Sequence, residues 1–267
     1  VVKRMCIVAA GPFFNILLAI IIFFGIFMVS GAMVLKPSVG TVRDGSPALA
    51  AGLKPGDLIT EIDRVPVTGW DDMTEIIGGS KGKTLEITVR RADSEKIFRI
   101  TPELVSAKNI FGEDIQRFII GISASGEAYT KDLNPLQAFT HSLVQTYKII
   151  ELMVMIIGKL ITGDISTDTI GGPIMIAKMA GDQAKSGVTN LIFYIAMIRV
   201  KLSINNLLPI HILEVGHLLF FFIESIKRKP VSLKVREVAQ QVGLFIIILL
   251  IIFVFYNDIT KWIRGDL

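Results

Sequence analysis

The chain has 267 residues, of which 51% are hydrophobic and 19% are charged, and its formal net charge is +4 at pH 7. A mean hydropathy of +0.59 is too apolar for an ordinary soluble domain, so we expect an integral membrane protein with a soluble insert. The basic residues lie mainly beside apolar segments and no groove-reading motif accompanies them, which argues against nucleic-acid binding. The single cysteine, Cys6, excludes an internal disulfide bond and a metal site with several cysteine ligands.

Three apolar stretches are candidates for crossing a bilayer, because a spanning helix needs about 20 apolar residues. They cover residues 7–34, 191–223 and 242–256. Lys3 and Arg4 precede the first stretch, and the most basic stretch of the chain follows the second. Since short positive flanks stay in the cytoplasm, we expect the N-terminus inside, the insert outside and the basic loop inside.

The insert, residues 36–105, is predicted to be a small α/β domain. Gly and Pro residues separate short strand-like runs, and one helical segment covers residues 70–77. The expected strands lie at residues 39–43, 58–63, 85–91 and 96–101.

The turns of this insert carry a family resemblance. G-S-P-A at residues 45–48 is followed by A-G-L-K-P-G-D-L-I at 51–59, a spacing that resembles bacterial PDZ domains. The resemblance implies that an extended peptide adds as a strand beside a helix, while backbone amides take its terminal carboxylate. It implies that the peptide-binding residues are Val39, Gly40, Thr41 and Val42. The alternative is a PDZ fold that only blocks access sterically.

Residues 134–163 show apolar residues at helical spacing, but Lys148, Glu151 and Lys159 interrupt them. We expect this helix to lie on the membrane surface or to line a cavity, with a fourth span as the alternative. A Gly-Gly-Pro sequence at 171–173 separates it from a second short helix. The predicted domains are therefore a first span (1–35), the PDZ-like insert (36–105), a connecting region (106–187) and a second membrane region (188–267).

Short motifs extend over almost the whole chain. They are A-G-P with Asn15 in residues 10–15, G-K-L-I-T-G-D at 158–164, G-P-I at 172–174, N-L-L-P at 206–209, G-H-L-L-F at 216–220 and Y-N-D at 256–258. Together they resemble the site-two-type intramembrane zinc metalloproteases, in particular the bacterial regulator-of-sigma-E proteases. The resemblance implies an α-helical integral membrane protein of about three spans with an inserted extracytoplasmic PDZ-like α/β domain, located in the bacterial cytoplasmic (inner) membrane.

The same resemblance implies an activity and a cofactor. Members of that family cut the transmembrane segments of single-pass proteins such as anti-sigma factors, and they hold Zn²⁺ with two histidines of an H-E-x-x-H helix and an aspartate of an L-D-G motif. The only histidines here are His141, His211 and His217, and none begins H-E-x-x-H. We therefore expect an N-terminally incomplete chain whose zinc needs the missing histidines. A processed or decayed protein is the alternative.

The position of the L-D-G motif reads Leu213-Glu214-Val215, which makes Glu214 the expected metal ligand. Glu binds zinc at about the same distance as Asp, about 2.0 to 2.2 Å. Its extra methylene must move the metal or the backbone, and Val215 cannot replace a glycine at positive φ, so impaired activity is expected. In an alternative, Glu214 forms a metal site of its own with His211 and His217 on one helix face.

Asn206 is the polar residue to which the resemblance gives substrate positioning, because an amide offers donors and an acceptor to an extended strand. The alternative role is to satisfy carbonyls that Pro209 frees. Structural roles in the membrane are expected for Asn15, Pro209 and Gly216. Arg199 and Lys201 depart from the family pattern, and two cations within one span must snorkel, pair or face water.

Two functions remain open from the sequence. One is an intramembrane zinc protease that cleaves membrane-tethered regulators. The other is a non-catalytic membrane scaffold that binds partners through its PDZ-like insert. Both involve membrane lipid and peptide C-termini as partners, and only the enzyme needs stoichiometric zinc.

Overall fold

A computed structural model describes residues 2–109, 113–165, 171–207 and 233–264. The helices are α1 (Val2–Ser30), α2 (Pro47–Ala51), α3 (Trp70–Gly79), α4 (Pro135–Thr162), α5 (Pro173–Ser186), α6 (Val188–Leu207) and α7 (Leu233–Arg264). The strands are β1 (Ala32–Leu35), β2 (Val39–Val42), β3 (Leu58–Ile62), β4 (Val65–Pro66), β5 (Leu85–Arg91), β6 (Ser94–Ile100), β7 (Glu103–Lys108), β8 (Asp114–Ile119), β9 (Ile122–Ala124) and β10 (Ala128–Lys131).

These elements form two compact units. The α/β unit comprises residues 31–132, and the helical unit comprises residues 1–30 and 133–267. The α/β unit is longer than the predicted interval 36–105, because strands outside that interval complete its pairing: β1 pairs with β10, and β2 pairs with β9. Long-range strand partners therefore decide where this unit ends.

The core of the α/β unit lies between α3 and a four-stranded sheet with the order β4-β3-β5-β6. Met73 of α3 packs in one cluster with Ile59, Ile87, Val89 and Ile120. The four strands and the helix predicted from the sequence are confirmed as β2, β3, β5, β6 and α3, with β5 matching residue for residue. Alternation of apolar and polar residues identified these strands because one face of the sheet is buried.

In the helical unit, α1 packs against α6 and α4. The rings of Phe23 and Phe193 are in tilted contact with centroids 5.0 Å apart, and Ala19, Ile149 and Val200 belong to the same buried cluster. The helix predicted at residues 134–163 is confirmed as α4. It begins where the side chains and amides of Asn134 and Gln137 bond reciprocally, and it ends at Gly163, which has a φ of 82°.

Two helices of the described residues are long and apolar enough to cross a membrane, over Ala10–Ser30 and Val188–Asn206. The first predicted span extended to residue 34, but α1 ends at Ser30, because Gly31 adopts a φ of 68° and the chain then enters β1. The second was predicted from residue 191, but α6 begins at Val188. The third, residues 242–256, lies within α7, and three spans stay a prediction.

The start of α5 is fixed by a carboxylate from α7. The Asp258 carboxylate accepts hydrogen bonds from the backbone amides of Gly172 (2.8 Å), Ile174 (2.9 Å) and Met175 (3.2 Å). Free amides at a helix N-terminus are the groups that a carboxylate satisfies best. Asp258 is completely buried, so this contact ties α5 to α7 over a separation of 86 residues.

Candidate functional site

A cavity of about 170 Å³ lies in the α/β unit between α3 and residues 117–122. We call it the α3 groove. Its walls are formed by Trp70, Met73, Thr74, Ile77 and Gly78 from α3, and by Arg117, Phe118, Ile119, Ile120, Gly121 and Ile122 from the facing segment.

The α3 wall is held in place at its first turn. The Asp72 carboxylate accepts hydrogen bonds from the Thr68 hydroxyl (2.6 Å), the Gly69 amide (3.1 Å) and the Thr68 amide (3.2 Å). The hydrogen bond from the Thr68 hydroxyl, helped by the two amides, holds the pKa of Asp72 below its usual range although partial burial opposes this. Trp70, the first residue of the helix, is thereby fixed at the groove.

The opposite wall is fixed through its carbonyl groups. The Ile120 oxygen accepts from the Ala48 amide and the Gly121 oxygen accepts from the Arg43 amide, both at 2.9 Å. Gly121 has a φ of 83°, and a Cβ there would lie 2.3 Å from the Ser46 Cβ. Only glycine fits this position. These two hydrogen bonds engage the carbonyl oxygens of Ile120 and Gly121 and not the backbone amides of the same residues.

The chemistry of the groove is apolar with one cation. Trp70, Met73 and Ile77 present apolar surface, and Arg117 is the charged residue among its lining residues. An apolar pocket beside backbone amides and a guanidinium suits an apolar C-terminal side chain and its carboxylate.

The predicted peptide-binding residues Val39, Gly40, Thr41 and Val42 form β2, which does not line the α3 groove. The strand has partners on both edges: it pairs with β9, and Val39 exchanges 2.8 Å hydrogen bonds with the amide of Gly56 and the carbonyl of Asp57. Peptide binding by β2 stays a prediction. The groove wall at residues 117–122 was missed because the predicted domain ended at residue 105, although Ile-Ile-Gly-Ile at 119–122 is an apolar run around a glycine.

In the helical unit, polar side chains of α6 face α1. The Ser203 hydroxyl donates to the Pro12 carbonyl at 2.7 Å, and Arg199 Nη1 donates to Asn15 Oδ1 at 3.4 Å. Asn206 is half-buried and lies one turn beyond Ser203. Spacings of three and four residues place Arg199, Ser203 and Asn206 on one side of α6. We call this set, with Asn15, the α1–α6 polar face.

The predicted metal ligand, Glu214, lies outside the described residues. Among the described residues, no group of three or more His, Cys, Asp and Glu side chains could hold a metal ion. His141 lies on α4, with its ring centroid 5.9 Å from that of Phe27. The other residues of the predicted motif and of the alternative metal site lie outside the described residues: Pro209, His211, Glu214, Gly216 and His217. Zinc binding by Glu214 stays a prediction.

Comparison with known proteins gives one family and close relatives. Residues 1–250 match the model of peptidase family M50. The chain is 34% identical over 264 residues to a protein of Agrobacterium fabrum that is provisionally named a zinc metalloprotease, and the match covers 98% of this chain and 70% of the relative. It is also 34% identical over 260 residues to the zinc metalloprotease RasP of Geobacillus kaustophilus, a match that covers 97% of this chain and 59% of that protein.

The chain is also similar to solved structures, one of which is the PDZ domain of an SdrC-like protein from Listeria monocytogenes, which is 30% identical. The match covers 33% of this chain and 84% of that domain, with a TM-score of 0.27.

Proposed function

The chain belongs to peptidase family M50, and we propose on that premise that it is a zinc metalloendopeptidase that cleaves the transmembrane segments of membrane-tethered regulatory proteins. The family resemblance inferred from the motifs is confirmed by the match over residues 1–250 and by the relatives. That match is the observation that carries the proposal. The cleavage of anti-sigma factors is one form of the same proposed activity.

The helical unit supports this proposal through its α1–α6 polar face. Peptide hydrolysis inside a membrane requires the substrate helix to unwind and its freed backbone groups to find partners, because the bilayer offers none. The side-chain amide of Asn206 supplies both donors and an acceptor, so we assign it to holding the unwound backbone. Ser203, one turn before Asn206 on α6, donates a hydrogen bond to the Pro12 carbonyl of α1.

Zinc, when bound, would supply a water activated near neutral pH for hydrolysis of the peptide bond. Glu214 is the residue of this chain that we propose as a zinc ligand. Because a glutamate stands in a motif that has aspartate in the family, we propose that the rate is reduced, since displacement by about 1 Å costs roughly 10²-fold.

The α3 groove supports a role in substrate selection. We assign the strand-binding role to residues 117–122, whose wall faces α3, and the carboxylate to the amides of Ile120 and Gly121 with Arg117 nearby. An apolar terminal residue would bury against Trp70 and Met73. In this proposal, the α/β unit lies outside the cytoplasmic membrane and α1 and α6 cross it in opposite directions.

Cleavage of a model substrate tests the proposed activity. The protein is isolated from its own membrane, reconstituted in lipid vesicles with a fluorescently labelled single-pass substrate, and assayed for product and bound zinc. We expect cleavage that a zinc chelator abolishes and that Glu214→Ala or Asn206→Ala reduces at least about tenfold. Asn205→Ala, at the neighbouring position on α6, is the matched control and should retain cleavage.

The scaffold alternative makes the opposite expectation for zinc. Its supporting feature is that the α3 groove requires no metal. If the isolated protein contains no stoichiometric zinc and cleaves nothing, but still binds peptide C-termini, the protease proposal is wrong and the scaffold takes its place.

A further inference from the structure

Arg199 lies deep inside a helix that is apolar enough to cross a membrane. At about 1.5 Å per residue, it is about 17 Å from the Val188 end of α6 and about 12 Å from the Leu207 end. A hydrocarbon core is about 30 Å thick, so the backbone of Arg199 lies well away from both ends of α6. A cation at such depth is costly unless it pairs or faces a polar cavity, which makes it a functional-site candidate.

The described helices that contain or pack near Arg199 offer few carboxylates to pair with its positive charge. The sequences of α1 and α6 contain no Asp or Glu, and the ion pairs of the described residues include neither Arg199 nor Lys201. Glu151 of α4, the helix that also packs against α6, forms none of these ion pairs. The α1–α6 helix pair therefore carries positive charge without a carboxylate among its own residues.

Among the residues that the structure describes, the contact made by Arg199 leaves most of its donors unused. Its partner is the neutral Asn15 Oδ1 at 3.4 Å, and the nearby Ser203 hydroxyl donates to Pro12 instead. A guanidinium has five N–H donors in a planar fork that matches both oxygens of a carboxylate. Because Arg199 is exposed at the surface of the helix pair, the unused donors are accessible to a further membrane segment.

We infer that Arg199, oriented by Asn15, binds a carboxylate side chain of a partner transmembrane helix, so that the proteins recognised are single-pass proteins with Asp or Glu inside their apolar segment. The inference rests on the proposed function, since it names the substrate class of that same membrane site. Charge complementarity selects the occupant: a fully apolar helix leaves Arg199 unpaired, and a helix with a central Lys or Arg is repelled.

The position of Arg199 also relates the acidic residue to the bond that is cut. Arg199 lies seven residues before Asn206 on the same side of α6, a distance of about 10 Å along the helix. A substrate spans that distance in about three residues when extended and in about seven when helical. The carboxylate of the substrate is therefore separated from the scissile bond by roughly three to seven residues.

Binding of model transmembrane peptides tests this inference without cleavage. The full chain is reconstituted in phosphatidylcholine nanodiscs at about pH 8, so that the carboxylate ionises. Fluorescence transfer then measures its affinity for a leucine-rich single-pass peptide with a central Asp, Asn or Lys. We expect the wild-type protein to bind the Asp peptide about tenfold more tightly than the Asn peptide. Arg199→Gln should remove this preference, and Arg199→Glu should shift it to the Lys peptide.

The control is Lys201→Gln, since Lys201 is a cation of α6 two residues away and lies on a different side of the helix. It should keep the preference for Asp. The gain of Lys-peptide binding by Arg199→Glu cannot come from misfolding. Equal binding of Asp and Asn peptides by the wild-type protein, or an unchanged preference in Arg199→Gln, overturns the inference. Because no zinc or turnover is needed, these outcomes are distinct from failure of the protease proposal.

Discussion

Asp57 and Arg91 form a two-point ion pair in the α/β unit, with Nε 2.6 Å from Oδ1 and Nη2 2.8 Å from Oδ2. The same pair fixes the turn between α2 and β3: Arg91 Nη2 donates to the Gly52 carbonyl at 2.8 Å, and the Lys54 amide donates to Asp57 Oδ2 at 2.9 Å. The Asp57 side chain is only 1% exposed. A buried carboxylate that accepts three hydrogen bonds stabilises the fold only while all its partners are present.

Asp57→Asn should lower the free energy of unfolding of the α/β unit by about 2 to 3 kcal/mol, because it removes the charge opposite a guanidinium and leaves buried donors unmatched. The measurement is urea unfolding of the full chain followed by the fluorescence of Trp70. A Trp262→Phe background removes the other tryptophan, which is 68% exposed. The control is Glu86→Gln. The ion pair of Glu86 with Arg99 is exposed and 3.6 Å long, so this substitution should lower the free energy of unfolding by less than about 0.5 kcal/mol.

Stability of the α/β unit should fall in acid. Burial raises the pKa of Asp57, but the hydrogen bonds and charge of Arg91 and the Lys54 amide outweigh it, and the net pKa lies below the usual range. The pKa of Asp72 is also lowered. Both groups bind fewer protons folded than unfolded, so their stabilisation is complete above the unfolded pKa of about 3.9 and is lost as the pH falls through the folded pKa.

The urea midpoint should therefore be level from about pH 7 to 5 and should decline below about pH 4. The double variant Asp57→Asn with Asp72→Asn should show a flatter profile over the same range. A profile that is as steep in the double variant as in the wild type would show that other carboxylates control the acid response.

Gly121→Ala should destabilise the α/β unit by about 2 kcal/mol and weaken peptide binding, because alanine is strained at positive φ and its Cβ meets Ser46. Gly126→Ala is the matched control: its φ is 82° and a Cβ there meets nothing within 4 Å, so only the backbone strain of about 1 kcal/mol remains. Adding Ser46→Gly to Gly121→Ala should recover part of the loss. If Ser46→Gly recovers none of the lost stability, the destabilisation by Gly121→Ala comes from backbone strain alone.

Arg117→Gln should weaken binding of peptides with a free C-terminus about tenfold, since it removes the cation from the α3 groove. The same peptide with an amidated C-terminus should bind the variant and the wild-type protein equally. Trp70 fluorescence reports binding, because this residue lines the groove. Arg90→Gln, at an exposed residue that does not line the groove, is the control and should leave both affinities unchanged.

Gly172→Ala should loosen the start of α5. A Cβ there would lie 2.5 Å from both Asp258 Oδ2 and Val254 Cγ1, so the capping carboxylate would be displaced at a cost of about 2 kcal/mol. Trypsin should then cut within α5, after Lys178 or Lys185, sooner than in the wild type. At Gly171 the three atoms nearest to an added Cβ belong to the flexible Met175 side chain, so trypsin should digest the Gly171→Ala variant at the wild-type rate.

Local pattern predicted those parts of the fold that depend on neighbouring residues. The strands of the central sheet follow from alternation, and α4 follows from helical spacing with Asn134 and Gly163 at its ends. The wall of the α3 groove that faces Trp70 was not predictable in this way, because tertiary pairing sets the position of that segment. The bond from Gly172 to Asp258 joins residues 86 positions apart, and no local signal identifies such partners.

The sequence could identify polar residues of the α1–α6 polar face but could not predict which of them are in contact. The polarity of Asn15, Arg199 and Asn206 stands out against apolar sequence, so each could be singled out. That Arg199 contacts Asn15 rather than an acidic partner depends on the antiparallel packing of α1 and α6, in which Pro12 meets Ser203 and Phe23 meets Phe193. Helix register is a property of packed side chains.

The pairing of β1 with β10 places Ala32 opposite Lys131, so the chain enters and leaves the α/β unit at adjacent points. A domain whose two ends lie side by side can be replaced by another domain of the same kind. The gap between the two attachment points is short, so closing it costs little loop entropy. The peptide preference proposed for the α/β unit and the chemistry proposed for the helical unit can thus change separately, through different sets of mutations. Replacing residues 31–132 by a related domain is accordingly a route to retargeting the protein without altering its membrane helices.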